Sequence, residues 1–317
     1  MKWWITTLAL HLTCYWYSSA ISAHEINDCF AIEDPGERLQ CYDEQQQRPI
    51  AHPDSIVEER FEKELESSFE EFVITPHKPN YILPVTYNDK LDTANYPIGT
   101  YDENLQNVEV KFQLSLKVPL AKQFIVSNSN LWFAYSQVAF WQLYNRDLSS
   151  PFRETNYEPE LMWVFHTDYK IFGLRNSLIS VSLNHQSNGQ SDPLSRSWNR
   201  IVANFIFDRG NYVFSLRPWY KIPRSEEDDD NPDINDYMGY GELGALYKYE
   251  NHQFTAMLRN NLDFDNNRNT IELNYTFPIN ERLKGVAQYF NGYGESLIDY
   301  NHRSHRIGIG ILLTDWL

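Results

Sequence analysis

The densest chemistry in the chain lies in Asn184-His185-Gln186-Ser187-Asn188-Gly189 and continues to Asn199. His185 and Ser187 stand two residues apart. On a β-strand that spacing puts both side chains on one face. An imidazole beside a hydroxyl can take its proton and turn it into a nucleophile. A third polar group on a neighbouring strand can hold the other ring nitrogen and fix the tautomer. Asn199 is the candidate for that role, which is more often held by aspartate. The chemistry would be acyl transfer to Ser187 followed by hydrolysis. The plainer reading is a set of polar residues at strand ends.

Such a site needs strands to carry it, and the chain supplies them. From about residue 80 the apolar residues recur with period two. In 108–118, Val108, Val110, Phe112, Leu114, Leu116 and Val118 alternate with Glu109, Lys111, Gln113, Ser115 and Lys117. About ten alternating residues match a tilted membrane strand. The same rule predicts twelve strands near 80–88, 107–118, 130–144, 156–169, 177–187, 198–207, 211–221, 237–249, 253–262, 269–278, 283–291 and 305–317. The connections 208–210, 250–252 and 279–281 are tight. Those at 89–106, 145–155, 188–197, 222–236 and 292–304 are long, and all fall at one end. The expected fold is all-β, a twelve-stranded antiparallel transmembrane barrel. The last strand, with Ile307, Ile309, Ile311 and Leu313 on one face, would close on the first and remove the sheet edges.

Composition agrees with this. After the N-terminus no run reaches the roughly 18 apolar residues of a spanning helix. Aromatic residues make up 15% of the chain, as interfacial girdles of a barrel require. The net charge of −16 disfavours a nucleic-acid partner. Residues 1–23 read as a secretory signal, with Lys2, an apolar stretch from Trp3 to Trp16, and small residues from Ser18 to Ala23. Cys29 and Cys41 would then form one disulfide in the exported chain. Residues 24–75 form an acidic arm. Within it Val57, Phe61, Leu65, Phe69 and Phe72 mark an amphipathic helix, with Asp54, Ser55 and Glu58 at its start. A periplasmic plug, a docking element and a linker all remain open for it. The barrel is expected over 76–317.

Parity assigns the faces. In 177–187 the apolar face holds Ile179, Val181 and Leu183, and His185 and Ser187 continue it. In 198–207 it holds Ile201, Ala203, Phe205 and Phe207, and Asn199 shares their parity. All three polar residues therefore point out toward lipid, where unpartnered polar groups are costly. In 130–144, Gln137 shares the outward stripe of Leu131, Phe133, Tyr135, Ala139, Trp141 and Leu143. An amide there needs a partner. A bond across a dimer contact would satisfy it, with Leu114 packing in the same contact. A β-bulge that turns Gln137 inward is the alternative.

Three segments resemble the outer-membrane phospholipase A family: Asn184 to Arg200, Ser149 to Pro159 in Ser-Ser-Pro-Phe-Arg-Glu-Thr-Asn-Tyr-Glu-Pro, and Gly292 to Asn301. The resemblance covers roughly 72–317. It implies a bacterial outer-membrane barrel that hydrolyses acyl esters of membrane phospholipids, with A1, A2 and lysophospholipase activities, as a calcium-bound homodimer. Carried over, Ser187 is the nucleophile, His185 the base and Asn199 the orienting residue. The Gly189 N–H is an oxyanion donor, and a calcium-bound water is the second. Oxygen ligands suit Ca²⁺. The family pattern places Ser195 and residue 190 in one subunit and Ser149 in the other, with Asp192 and Asp230 at a second calcium position. A glutamine like Gln137 sits in the family's dimer contact. Position 190 departs from the pattern, carrying Gln190 where family members usually have Arg. If the ligand is the backbone carbonyl the change matters little; if the side chain positions it, calcium affinity changes. The competing reading is a passive pore or structural barrel with a decayed site. Inward Glu109, Lys111, Lys117 and Arg200 suit either.

Overall fold

The computed structural model describes residues 34–38, 55–57, 59–61, 64, 73–93, 105–225, 227–281 and 283–315. The expected signal segment, Cys29, Cys41 and the helix positions Leu65, Phe69 and Phe72 lie outside them. Besides the two-residue strand Thr75–Pro76, the sheet has twelve strands. They are β1 (Asn80–Asn88), β2 (Val108–Ala121), β3 (Ser129–Trp141), β4 (Phe152–Ile171), β5 (Leu174–Ser187) and β6 (Ser197–Arg209). They continue as β7 (Tyr212–Lys221), β8 (Gly241–Tyr249), β9 (His252–Asn260), β10 (Asn269–Pro278), β11 (Lys284–Tyr293) and β12 (Arg303–Thr314). Each pairs antiparallel with the next, and β12 pairs with β1, so the sheet closes. At that seam Gly310 lies so close to β1 that a Cβ would collide with the Ile82 carbonyl oxygen. No larger residue fits there without moving the backbone.

The period-two reading places all twelve strands, with shifted ends. The strand expected from 237 begins at Gly241, because Ile234–Met238 is a short helix. Its Ile234 and Met238 are buried against Trp198, Val202, Trp219, Leu297 and Tyr300, so packing overrides the strand pattern there. β4 starts at Phe152 rather than near 156, and its first aromatic stacks on Trp141 at 5.3 Å. The connection 261–268 joins the long loops at that end.

The two faces separate as parity demands. Leu114, Leu183, Leu243, Leu258, Ile307 and Ile309 are exposed on the outside. Among the described residues no helix is long and apolar enough to cross a membrane; the strands provide the lipid-facing surface. Inside, side chains of both signs interlock. Arg153 and Arg306 both donate to Glu109, at 3.0 and 2.7 Å. Arg306 and Lys111 share Glu295 at 2.7 and 3.1 Å, and Arg153 also reaches Asp299 at 2.8 Å. The lumen at this level is filled with charge pairs. At the opposite end Val57 packs with the inward Ile206, Val213 and Leu246, and Glu64 pairs with Lys117 at 2.6 Å. The compact unit that contains the barrel begins at His52.

Removing one partner of a buried charge network costs more than the pair contributes, because the other charge stays buried. Glu109→Ala is expected to lower the unfolding free energy by about 3–5 kcal/mol. Reversible denaturant unfolding in bilayers measures it; a change below about 1 kcal/mol, the worth of a surface pair, would show that water replaces the carboxylate freely.

Candidate functional site

The site is built on the β5–β6 ladder. Its register pairs Asn184 with Arg200, His185 with Asn199, Gln186 with Trp198 and Ser187 with Ser197. The inward members lock it. Asn184 Oδ1 accepts two bonds from the Arg200 guanidinium, at 3.1 and 2.7 Å. Gln186 Oε1 accepts the Trp198 indole N–H at 2.9 Å. Asn184 Nδ2 donates to Glu158 Oε1 on β4 at 2.8 Å. The guanidinium also lies over the Trp198 ring at 4.0 Å. A slip of one residue would break every one of these bonds and flip His185 and Ser187 inward.

With that register held, the outward face is determined. His185 Nδ1 lies 2.7 Å from Asn199 Oδ1. A carbonyl oxygen only accepts, so Nδ1 carries the proton and Nε2 keeps its lone pair for use as a base. The neighbours on this face are Val181, Leu183 and Ile201, exposed by 42%, 56% and 42%. Ser187 shares the face without a hydrogen bond to His185. Two rises of about 3.3 Å separate their Cα atoms, a span the two side chains can close by rotation. Catalytic bonds of this kind commonly tighten only around substrate.

The strand ends in the loop 188–196. Gly189 has φ +66°, and a Cβ there would stand 3.1 Å from the Tyr157 ring. The left-handed backbone favours glycine, and the ring leaves little room for a larger residue. Among the described residues no hydrogen bond from the Gly189 N–H is found. Ser195 and Ser197 both donate to Asp230 Oδ2, at 2.8 and 3.1 Å. Ser197 Oγ also accepts a bond from the Arg224 guanidinium at 2.8 Å, so this oxygen cluster already has a cation beside it. Lys221 braces the Asp230 loop by bonding Asp229 at 2.7 Å and the Asn231 carbonyl at 3.0 Å. Asp192 lies in the same 188–196 loop. Ser149 sits on the β3–β4 connection, and its N–H bonds to Arg146 O at 3.1 Å. None of its hydrogen bonds reaches the 188–196 loop. The N–H of Gln190 donates to Asn188 Oδ1 at 3.3 Å, so the backbone at 190 is held without help from its own side chain.

Gln137 remains on the outside. Its pairings with Leu114 and Tyr157 run without a register shift at that point, so no bulge turns it inward. The Tyr135 hydroxyl donates to its Oε1 at 3.2 Å, which leaves the amide NH₂ facing out. Leu114, Gln137, Tyr157 and Ser187 form one continuous row across four strands. At about 4.8 Å per strand, Gln137 and Ser187 are roughly 10 Å apart.

Sequence reasoning misses two participants. Tyr157, between Gln137 and Ser187 and against Gly189, stands inside the Ser149 to Pro159 segment and was there to be noticed. Asn188, buried next to Ser187 in the chain, bonds through its side chain to three backbone groups of its own loop. Only its asparagine identity hinted at that.

The family model described as phospholipase A1 matches residues 57–313. The chain belongs to the phospholipase A1 family. Phospholipase A1 of Klebsiella pneumoniae is 42% identical over 246 residues, covering 77% of this chain and 83% of the relative. Two solved structures extend the likeness. One is outer membrane phospholipase A from Escherichia coli in an active-site mutant form with asparagine replaced by alanine. It is 38% identical with a TM-score of 0.75, covering 80% of this chain and 96% of that one. The other is the outer membrane phospholipase of Salmonella typhi, a dimer with bound calcium. It is 39% identical with a TM-score of 0.73, covering 78% of this chain and 94% of that one.

In this phospholipase a side chain at 189 would be strained. Gly189→Ala combines a left-handed backbone, costing roughly 1–2 kcal/mol, with contact against Tyr157. Hydrolysis of phospholipid in detergent micelles is expected to fall about 100-fold while the barrel stays folded. Unchanged turnover would remove Gly189 from the site.

Proposed function

We propose that the chain is a calcium-dependent outer-membrane phospholipase that cleaves acyl esters of glycerophospholipids at the lipid-facing surface of its barrel. The observation that carries this reading is the 2.7 Å contact of His185 with Asn199 on an otherwise apolar face. Barrel folding alone rewards apolar side chains there, so an oriented base beside a hydroxyl points to chemistry on something within the lipid layer. The substrate follows from the place: an ester of membrane phospholipid meets this wall directly.

Ser187 Oγ attacks the ester carbonyl carbon while His185 Nε2 takes the hydroxyl proton. Asn199 holds the ring by accepting the Nδ1–H, which stabilises the imidazolium without taking a proton. The Gly189 N–H donates to the developing oxyanion. His185 then returns its proton to the departing glycerol oxygen. A water, deprotonated by His185 in turn, releases the fatty acid from Ser187. Oxygen atoms of Ser195 and residue 190 in one subunit, and Ser149 from a second copy, would hold calcium, with Asp192 and Asp230 at a further position. Bound calcium would supply positive charge where the oxyanion develops. The dimer with bound calcium among the relatives supports such a role, and the active-site asparagine of the other relative supports the part given to Asn199. Gln137, with Leu114 beside it, is the proposed dimer contact. The reading of a passive barrel has no use for an oriented imidazole facing lipid.

Fatty-acid release from phospholipid–detergent micelles tests the proposal. Wild-type protein should release fatty acid with calcium and lose that release with chelator. Ser187→Ala and His185→Ala should lose at least 1,000-fold, and Asn199→Ala less, because it orients rather than reacts. Release by Ser187→Ala at the wild-type rate would sink the assignment.

A further inference from the structure

We infer that Asn188 is a positioning residue, which sets the Gly189 N–H against the oxyanion by tying both ends of its loop together. The inference rests on the assignment of Ser187 and Gly189 made above.

Gly189 is exposed, and among the described residues no hydrogen bond of its own fixes its N–H direction. An oxyanion donor must nevertheless be placed to within about 0.5 Å to act. The residue before it supplies the constraint. Asn188 is 2% exposed, an unusual burial for an amide in a surface loop. Its Oδ1 accepts the N–H of Arg196 at 2.9 Å and of Gln190 at 3.3 Å. Its Nδ2 donates to the Leu194 carbonyl at 2.8 Å. Its own N–H donates to Arg196 O at 3.0 Å.

Every one of these partners is backbone, so the clamp is indifferent to the side chains of the loop. That explains how residue 190 can be glutamine with its backbone still fixed. The clamp spans the loop from 190 to 196, which also carries Ser195. Gly189 is thereby held between two anchored positions, Asn188 on one side and the Gln190 N–H on the other. The Asn188–Gly189 peptide, whose N–H is the proposed donor, can no longer rotate freely. Asn is suited to this because its short side chain reaches the N–H two residues on, which Gln does not do without added rotamer freedom.

The experiment compares wild type, Asn188→Ala, Asn188→Asp and Ser187→Ala as full-length folded protein. Substrate is phosphatidylcholine in detergent micelles with saturating calcium. Folding is checked by heat-modifiable gel mobility. Covalent labelling of Ser187 by a long-chain fluorophosphonate provides a second readout, in which Ser187 Oγ displaces fluoride from phosphorus. Asn188→Ala is expected to lose about 100-fold in kcat, as loss of one oxyanion donor does, with KM within about twofold and labelling slowed in parallel. Asn188→Asp keeps both N–H acceptances and loses only the donor to Leu194, so it should recover about tenfold of that loss. Folded Asn188→Ala with wild-type kcat and labelling would overturn the inference. So would equal losses in kcat for Ala and Asp, which a positioning clamp does not give. Where Asn188→Ala fails to fold, Asn188→Asp decides: kcat at the wild-type level overturns the inference and a loss of about tenfold supports it. An active Ser187→Ala would instead bring down the underlying assignment.

Discussion

Everything in this molecule depends on the alternation of a β-strand, which gives each residue one of two faces. On β5 and β6 the same ladder serves two solvents. Asn184, Gln186, Arg200 and Trp198 meet one another in the lumen, while His185, Ser187 and Asn199 face the lipid side. The inner bonds cannot form in any other register, and the outer constellation exists only in that register. The lumen network therefore positions the site without touching it. A carboxylate could stabilise an imidazolium more strongly than Asn199 does. On a lipid-facing surface, however, a charge is far more costly than an amide. An asparagine that is held geometrically keeps the orienting function without that cost.

How much of this is legible in the sequence follows from the same rule. Period two exposes the strands directly, so all twelve appear, and parity places Glu109, Lys111 and Arg200 inward and Leu114, Gln137, His185, Ser187 and Asn199 outward. The pattern fails where local packing rather than face decides. Met238 falls inside the strand expected from 237, yet with Ile234 it lies in a short helix because Trp198, Trp219 and Tyr300 offer a dry surface beneath them. Phe152 reads as loop, yet it extends β4 by stacking on Trp141. Within the site, side chains that act on a surface are visible by type and spacing. The clamp of Asn188 is not, since an asparagine in a polar loop looks like any other turn residue until its three backbone partners are seen.

The long connections do more than join strands. Leu297 and Ile234 are almost wholly buried, and with Trp198, Val202 and Trp219 they form an apolar cluster at the loop end of β6. Burial and the Asp233 carboxylate push the Tyr300 phenol up, so its hydroxyl stays protonated and donates to Asp233. The cluster and the charge network below it leave β6 little freedom to move inward. A site on the outer wall of an empty tube would rest on a flexible support; this one rests on packed side chains at two levels.

Gln137 gains its significance from geometry. Apolar side chains on a lipid-facing wall provide no drive for two barrels to meet, because lipid tails satisfy them equally well. A polar amide in that wall does, since its outward NH₂ finds no acceptor in hydrocarbon. Tyr135 satisfies the oxygen of Gln137 and leaves the nitrogen to a partner. The row Leu114–Gln137–Tyr157–Ser187 then puts any such contact only two strands from Ser187, the proposed nucleophile. A second copy seated there would lie against that same row. Association and site completion would then be one event, because a single row of paired residues carries both.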